Sequence, residues 1–186
     1  MRHFLTAIVL IVNSIESEKD HISGACHAEL FFGDTPCDKH WSIRYHMDVD
    51  TETCLAFNYT GCGSNWNNFE SSLACYEACL PVDHHKCPAA SKAHESEKGK
   101  PYCNGNNECG VGKYCDIGNG YGQCCELEYK HKVDSDYNPM CPKGQSVLKE
   151  KVNGITVQLL GKKCSHNFCP LASTCFDGHF FASCCV

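Results

Sequence analysis

CLAFNYTGCGSNWNNFESSLACYEAC, residues 54–79, sets four cysteines in the run C-x7-C-x12-C-x3-C. Its first half, Cys54 to Tyr59, is rich in strand-compatible residues. So is Ser42 to Asp48 upstream, and the polar link Val49 to Thr53 between the two suits the turn of an antiparallel hairpin. Its second half predicts a short helix beginning at Ser71, whose hydroxyl can cap the free N–H groups of the first turn, although Ala74 stands where a full capping box has Glu or Gln. Cys75 and Cys79, four apart, project from one helical face and reach the same side.

Working outward, the chain holds 18 cysteines in 186 residues, which divide into three groups of six without remainder. Units of roughly 50 residues bury too little apolar surface to be stable alone. Disulfides contributing on the order of 2–5 kcal/mol each supply the rest. That cysteine load requires an oxidising compartment. The N-terminus agrees: Met1-Arg2-His3, the apolar stretch Phe4 to Val12, then polar and small residues read as a signal peptide over 1–17, too short to span a bilayer. A secreted, extracellular protein is expected. The formal charge of −6, with no Lys/Arg run longer than a pair, offers no basic field for nucleic acid or anionic lipid.

Phe57, Gly61, Cys62, Phe69 and Cys75 fit F-x3-G-C-x6-F-x5-C position by position, and together with the cysteine spacing this resembles a Kunitz-type (bovine pancreatic trypsin inhibitor-like) domain, here over 24–80. Six cysteines alone permit 15 pairings. The resemblance implies Cys26–Cys79, Cys37–Cys62 and Cys54–Cys75, and a small α+β domain of twisted hairpin plus C-terminal helix. It also implies a protease-contact loop, Pro36, Cys37, Asp38, Lys39 and His40, whose residue after the second cysteine enters the protease pocket. In that register the residue is Asp38, which a trypsin-like pocket with its own carboxylate would repel. The segments Cys26–Cys37 and Cys37–Cys54 are both longer than the family's usual spacing. Arg44 keeps its place before Cys54, so the additional residue lies between Cys37 and Ile43 and can bring Lys39 into the contact position. A longer loop changes closure entropy little but must be ordered on binding. Thr60 replaces a preferred Gly, and Asn58-Tyr59-Thr60 is an N-glycosylation sequon that would set a glycan near this surface. Asn67-Asn68-Phe69 agrees with the family's structural Asn pair and aromatic.

Beyond a polar linker, Pro81 to Lys86, a pattern occurs twice. Cys87-Pro88, Cys103, Cys109, Cys115 and Cys124-Cys125 are echoed by Cys141-Pro142, Cys164, Cys169, Cys175 and Cys184-Cys185. The repeat resembles lustrin-type cysteine-rich modules and predicts two small β-rich six-cysteine units, 87–125 and 141–186. Adjacent cysteines do not easily bond to each other, so each pair ties two segments to one point. In the second copy Asn153-Gly154 between Val147–Val152 and Ile155–Leu160 predicts a hairpin. In the first, Ala89 to Lys100 reads as a mobile polar loop. With their own cysteines and a polar link, the two units are expected to make few apolar contacts with the first domain.

His84-His85 near Cys87 invite a metal, but no HExxH or paired CxxC supports one, and they read as solvated linker residues. Asp48, Asp50 and Glu52 read as a solvated hairpin edge. There is no Gly-x-Ser-x-Gly and no activated cysteine. No catalysis, metal or cofactor is therefore expected. Two functions stay open: a Kunitz-type inhibitor of serine endopeptidases with a divergent, weak contact loop, or an extracellular-matrix or cuticle-associated module that keeps the domain as a scaffold for protein contacts. No sequence feature favours channel blocking.

Overall fold

The computed structural model describes residues 22–118 and 120–186; the expected signal peptide lies outside them. Strands β1 (Ser42–Asp48) and β2 (Thr53–Tyr59) pair antiparallel with Ser42 opposite Tyr59 and Asp48 opposite Thr53. The turn between them is held by Asp48, whose carboxylate accepts from the Thr51 hydroxyl (2.5 Å) and backbone N–H (3.2 Å). Helix α1 (Ser72–Cys79) begins at Ser71, whose hydroxyl accepts from the Ala74 N–H at 3.1 Å. Its buried Cys75 and Cys79 are bonded to Cys54 and Cys26, fastening the helix to the hairpin and to the N-terminal segment. This is the architecture implied by residues 54–79.

The second part holds the hairpin β3 (Lys113–Gly118) and β4 (Tyr121–Glu126), followed directly by helix α2 (Leu127–Tyr137). The third holds the hairpin β5 (Lys149–Val152) and β6 (Ile155–Gln158), then β7 (Leu160–Gly161), β8 (Thr174–Asp177) and β9 (Ala182–Cys185). Asn153 (φ 49°) and Gly154 (φ 83°) form the β5–β6 turn, both in the left-handed region that this pair tolerates. The two six-cysteine units share one pairing order, first to sixth, second to fourth and third to fifth. Cys87–Cys125, Cys103–Cys115 and Cys109–Cys124 correspond to Cys141–Cys185, Cys164–Cys175 and Cys169–Cys184. Each vicinal pair joins two different segments, as the difficulty of bonding neighbours requires.

The expected independence of the last unit does not hold. One five-stranded sheet runs β1-β2-β7-β9-β8, with β7 parallel to β2 through Ala56 and Gly161. The main core mixes Tyr45, Met47, Cys54 and Ala56 with Leu159, Phe168, Ala182 and Cys184, and Leu55 packs with Leu160 and Phe181. Thr51 to Phe57 are all buried. Of the three hairpin acids Asp50 is exposed, but the other two are not a solvated edge: Asp48 is paired with Lys162 at 2.8 Å, and Glu52, 5 % exposed, meets His84 at 2.8 Å. His84 and His85 are half-buried, His85 lying 3.3 Å from Asp116, and the Lys86 ammonium donates to the Thr51 and Glu52 carbonyls. The linker is thus pinned to the hairpin turn. Ala89 to Lys100 is tied down as well, by the His94 N–H on the Cys124 carbonyl (2.9 Å) and the Ser96 N–H on the Lys100 carbonyl (2.8 Å).

Where β7 meets β2 there is no room for a side chain. A Cβ on Gly161 would lie 2.3 Å from the ring of Phe168, which is fully buried. Gly161→Ala is therefore expected to cost about 2–3 kcal/mol through displacement of that ring. Urea unfolding of the oxidised protein measures it, and a loss below about 0.5 kcal/mol would show that the seam yields freely.

Candidate functional site

The segment before the second cysteine runs alongside the end of β2. The Thr60 N–H donates to the Phe32 carbonyl at 2.9 Å and the Asp34 N–H to the Cys62 carbonyl at 2.8 Å. The Cys37–Cys62 bridge then closes the loop. Gly33 (φ +99°) lies against the buried Thr60 hydroxyl, where any Cβ would be 2.0 Å from that oxygen. The Tyr59 hydroxyl donates to the Gly63 carbonyl, and the Arg44 guanidinium lies 5.8 Å over the Tyr59 ring while pairing with Glu70 at 3.1 Å. The loop is thereby braced from behind at both ends.

Pro36, Asp38, Lys39 and His40 are exposed and Cys37 is half-buried. The Asp38 carboxylate stays within 4.8 Å of the Cys37 and Cys62 sulfurs. Lys39 runs its stem along Gly61: a Cβ there would lie 2.8 Å from the Lys39 Cβ and 3.5 Å from its Cδ. Gly61 (φ +95°) is thus required twice, for its backbone angle and for its bare surface. The alkyl stem rests on the scaffold and the ammonium stands in water. Trp41 (60 % exposed) follows directly in the chain, and Trp66 is 83 % exposed. Asn58 is half-buried on β2 opposite Ile43, on the face away from Phe57 and Tyr59.

Phe32 and Gly33, which hold the loop to β2, were not legible as site residues. The only signal was an aromatic followed by Gly before the second cysteine. Two clusters of potential metal ligands exist among the described residues, Cys103, Cys109 and Cys124, and Cys37, Asp38 and Cys62. All their sulfurs are in bridges and offer no thiolate. No described helix is long and apolar enough to cross a membrane.

The profile of the Kunitz/bovine pancreatic trypsin inhibitor domain matches residues 25–80. The chain is 35 % identical over 161 residues to a BPTI/Kunitz inhibitor domain-containing protein of Caenorhabditis elegans, covering 87 % of this chain and 89 % of that protein. It is 32 % identical over 192 residues to the major allergen Ani s 1 of Anisakis simplex, covering 100 % of this chain and 98 % of the allergen. A shorter match, 46 % over 37 residues, joins 20 % of the chain to 16 % of mouse tissue factor pathway inhibitor 2. No solved structure matches.

Proposed function

We propose that this chain, which belongs to the Kunitz/bovine pancreatic trypsin inhibitor family, is a secreted inhibitor of serine-type endopeptidases acting through Pro36–His40. The observation that carries this is the loop's mounting. An exposed segment is closed by Cys37–Cys62 and backed by Thr60, Gly33 and Gly61, so little of its freedom remains to be lost on binding. Secretion, with a signal peptide over 1–17, is supported by the bonding of every cysteine. We assign 24–80 to the inhibitor domain and 87–125 and 141–186 to lustrin-type repeats, which their common pairing order supports.

Lys39 directs the contact. Its stem is braced on Gly61 and its ammonium is the cation available to a trypsin-like pocket, whereas Asp38 beside it opposes the pocket carboxylate. Inhibition of trypsin by the oxidised protein is expected to be weak, with a constant on the order of micromolar. Lys39→Ala should weaken it by roughly 30-fold or more, as loss of a central anchor does. Asp38→Ala should strengthen it, and removal of a glycan at Asn58 should also tighten it. If Asp38→Ala alone abolishes inhibition, the loop is read one residue too late and the target has a cationic pocket.

A second reading, an extracellular-matrix-binding module, draws on Trp41 and Trp66, two large exposed aromatics of the kind enriched at protein interfaces. It takes over if no trypsin-, chymotrypsin- or elastase-like enzyme is inhibited at micromolar concentration.

A further inference from the structure

One face of the inhibitor hairpin, bearing Arg44, His46 and Asp48 on β1 opposite Phe57, Leu55 and Thr53 on β2, is covered by the C-terminal unit. The backbone contribution to this contact is small, because β2 and β7 share the single register pair Ala56–Gly161. Side chains hold the rest. His46, 5 % exposed, packs edge-on to Phe57 (5.7 Å), Phe57 to Phe32 (5.9 Å), and Phe32 to His166 (5.2 Å), the last residue of the 3-10 turn Cys164–His166. A line of four rings thus joins the hairpin to the C-terminal unit through the segment that leads into the contact loop. At its two ends, His46 Nε2 and His166 Nδ1 are buried and have no hydrogen-bond partner.

We propose that this seam is an acid-operated latch, in which protonation of His46 and His166 releases the C-terminal unit from the hairpin and loosens the contact loop through Phe32.

The carboxylates nearest the two rings are each already engaged through one oxygen, and neither is bonded to His46 Nε2 or His166 Nδ1. His46 is faced by Asp48 from β1, by Lys162 and by His166; His166 is faced by Lys162, Lys163, Asp48 and, from β8, Asp177. Asp48 already accepts from Lys162 and Thr51, and Asp177 from the Cys164 N–H at 2.7 Å. Arg44, on the same face of the hairpin, is paired with Glu70. Burial pushes the His46 imidazole down from 6.5 to about 4, and burial with the neighbouring Lys163 pushes His166 down as well.

The sign follows. A released histidine titrates near 6.5 and a latched His46 near 4, so the latch is fully favoured above pH 6.5 and loses ground as pH falls towards 4. From His46 alone the open fraction grows ~80-fold across that interval, and His166 adds to it in the same direction. The Asp48 carboxyl is held below its ordinary 3.8 by Lys162 and Thr51 against the opposing effect of burial. Its ion pair therefore survives the interval and fails only in stronger acid, which separates the histidine window from ordinary carboxylate titration.

Hydrogen exchange of the oxidised full chain, corrected for intrinsic rates, tests this. Between pH 7 and pH 4.5, protection of the seam amides of Leu160–Gly161 and of the Thr60 amide should fall about 50- to 100-fold. The β3–β4 hairpin, outside the seam, should hold steady. His46→Phe, which keeps the ring and removes the proton site, should reduce the response to a few-fold. The proposal is overturned if seam protection is unchanged at pH 4.5, or if His46→Phe responds like the parent. It is also overturned if the His46 ring of the parent titrates near 6.5 by NMR while the seam stays protected, a readout that does not depend on the variant folding.

Discussion

Replacing Asp136 by Ala is expected to cost about 3–5 kcal/mol, a large share of the stability of a chain this size. Asp136 lies in the last turn of α2 and is 3 % exposed. One carboxylate oxygen accepts from the His179 N–H at 2.7 Å; the other accepts from Phe180 (2.7 Å) and Phe181 (3.1 Å). Its carbonyl also receives the Ser183 hydroxyl at 2.8 Å. This one side chain bolts the helix between the two six-cysteine units to the loop entering β9, where Tyr129 stacks on Phe180 and Tyr137 meets Phe181 edge-on. Alanine would leave three backbone donors without their charged acceptor. The substitution Asp136→Asn keeps one acceptor oxygen and turns a donor towards another N–H, so its loss should be intermediate. Urea unfolding ranks the pair; equal stability of Asp136→Ala and the parent would show that the donors are simply rehydrated.

The second large effect is expected at Asn67, where the chemistry is reversed. Asn67 is 1 % exposed, and its amide nitrogen faces the carbonyls of Cys26 (3.0 Å), Ala28 (2.8 Å) and Met47 (3.0 Å) while its oxygen accepts the Met47 N–H at 2.7 Å. It joins the N-terminal segment to β1 where no regular ladder connects them. Asn67→Ala should cost about 3–5 kcal/mol, seen as a fall in Tm on the order of 10 °C. Asn67→Asp should be at least as damaging, because it sets a carboxylate oxygen against three carbonyl oxygens in a buried site. At Asp136 the charged group is the one the backbone requires; at Asn67 it is the one the backbone rejects. An Asn67→Asp variant as stable as the parent would mean that water enters this site.

The first domain was legible because its cysteines fix a frame that tolerates little sliding. Ser71 was readable as a cap for the same local reason, and Asn153-Gly154 as a turn. What could not be read was what arrives from far along the chain. Asp48 has the look of a solvated turn residue until Lys162 reaches it, and β7 is two residues long, too short for any periodicity to announce. The continuous burial of Thr51 to Phe57 follows from that cover together with the linker side chains His84 and Lys86. Helix α2 was missed although its signal was present. Tyr129, Val133 and Tyr137 recur every fourth residue, and Glu128–Lys132 and Lys130–Asp134 are ion pairs of that same spacing. A chain read by its cysteines leaves such a segment as connection. At the contact loop the exposed tip was legible; its backing by Phe32 and Gly33 was not, since their role depends on the end of β2.

The shared sheet also imposes an order on biosynthesis. The contacts Tyr45–Glu150 and Asp48–Lys162 span 105 and 114 residues, so the hairpin leaves the ribosome well before its cover exists. At about 5–20 residues per second that interval lasts on the order of 5–20 s, with Leu55 and Phe57 bare and the β2 edge open to any passing strand. A message cut short before Leu160 would leave that edge uncovered for good. The downstream third of the reading frame thus supplies the strand that closes the sheet edge of the upstream third.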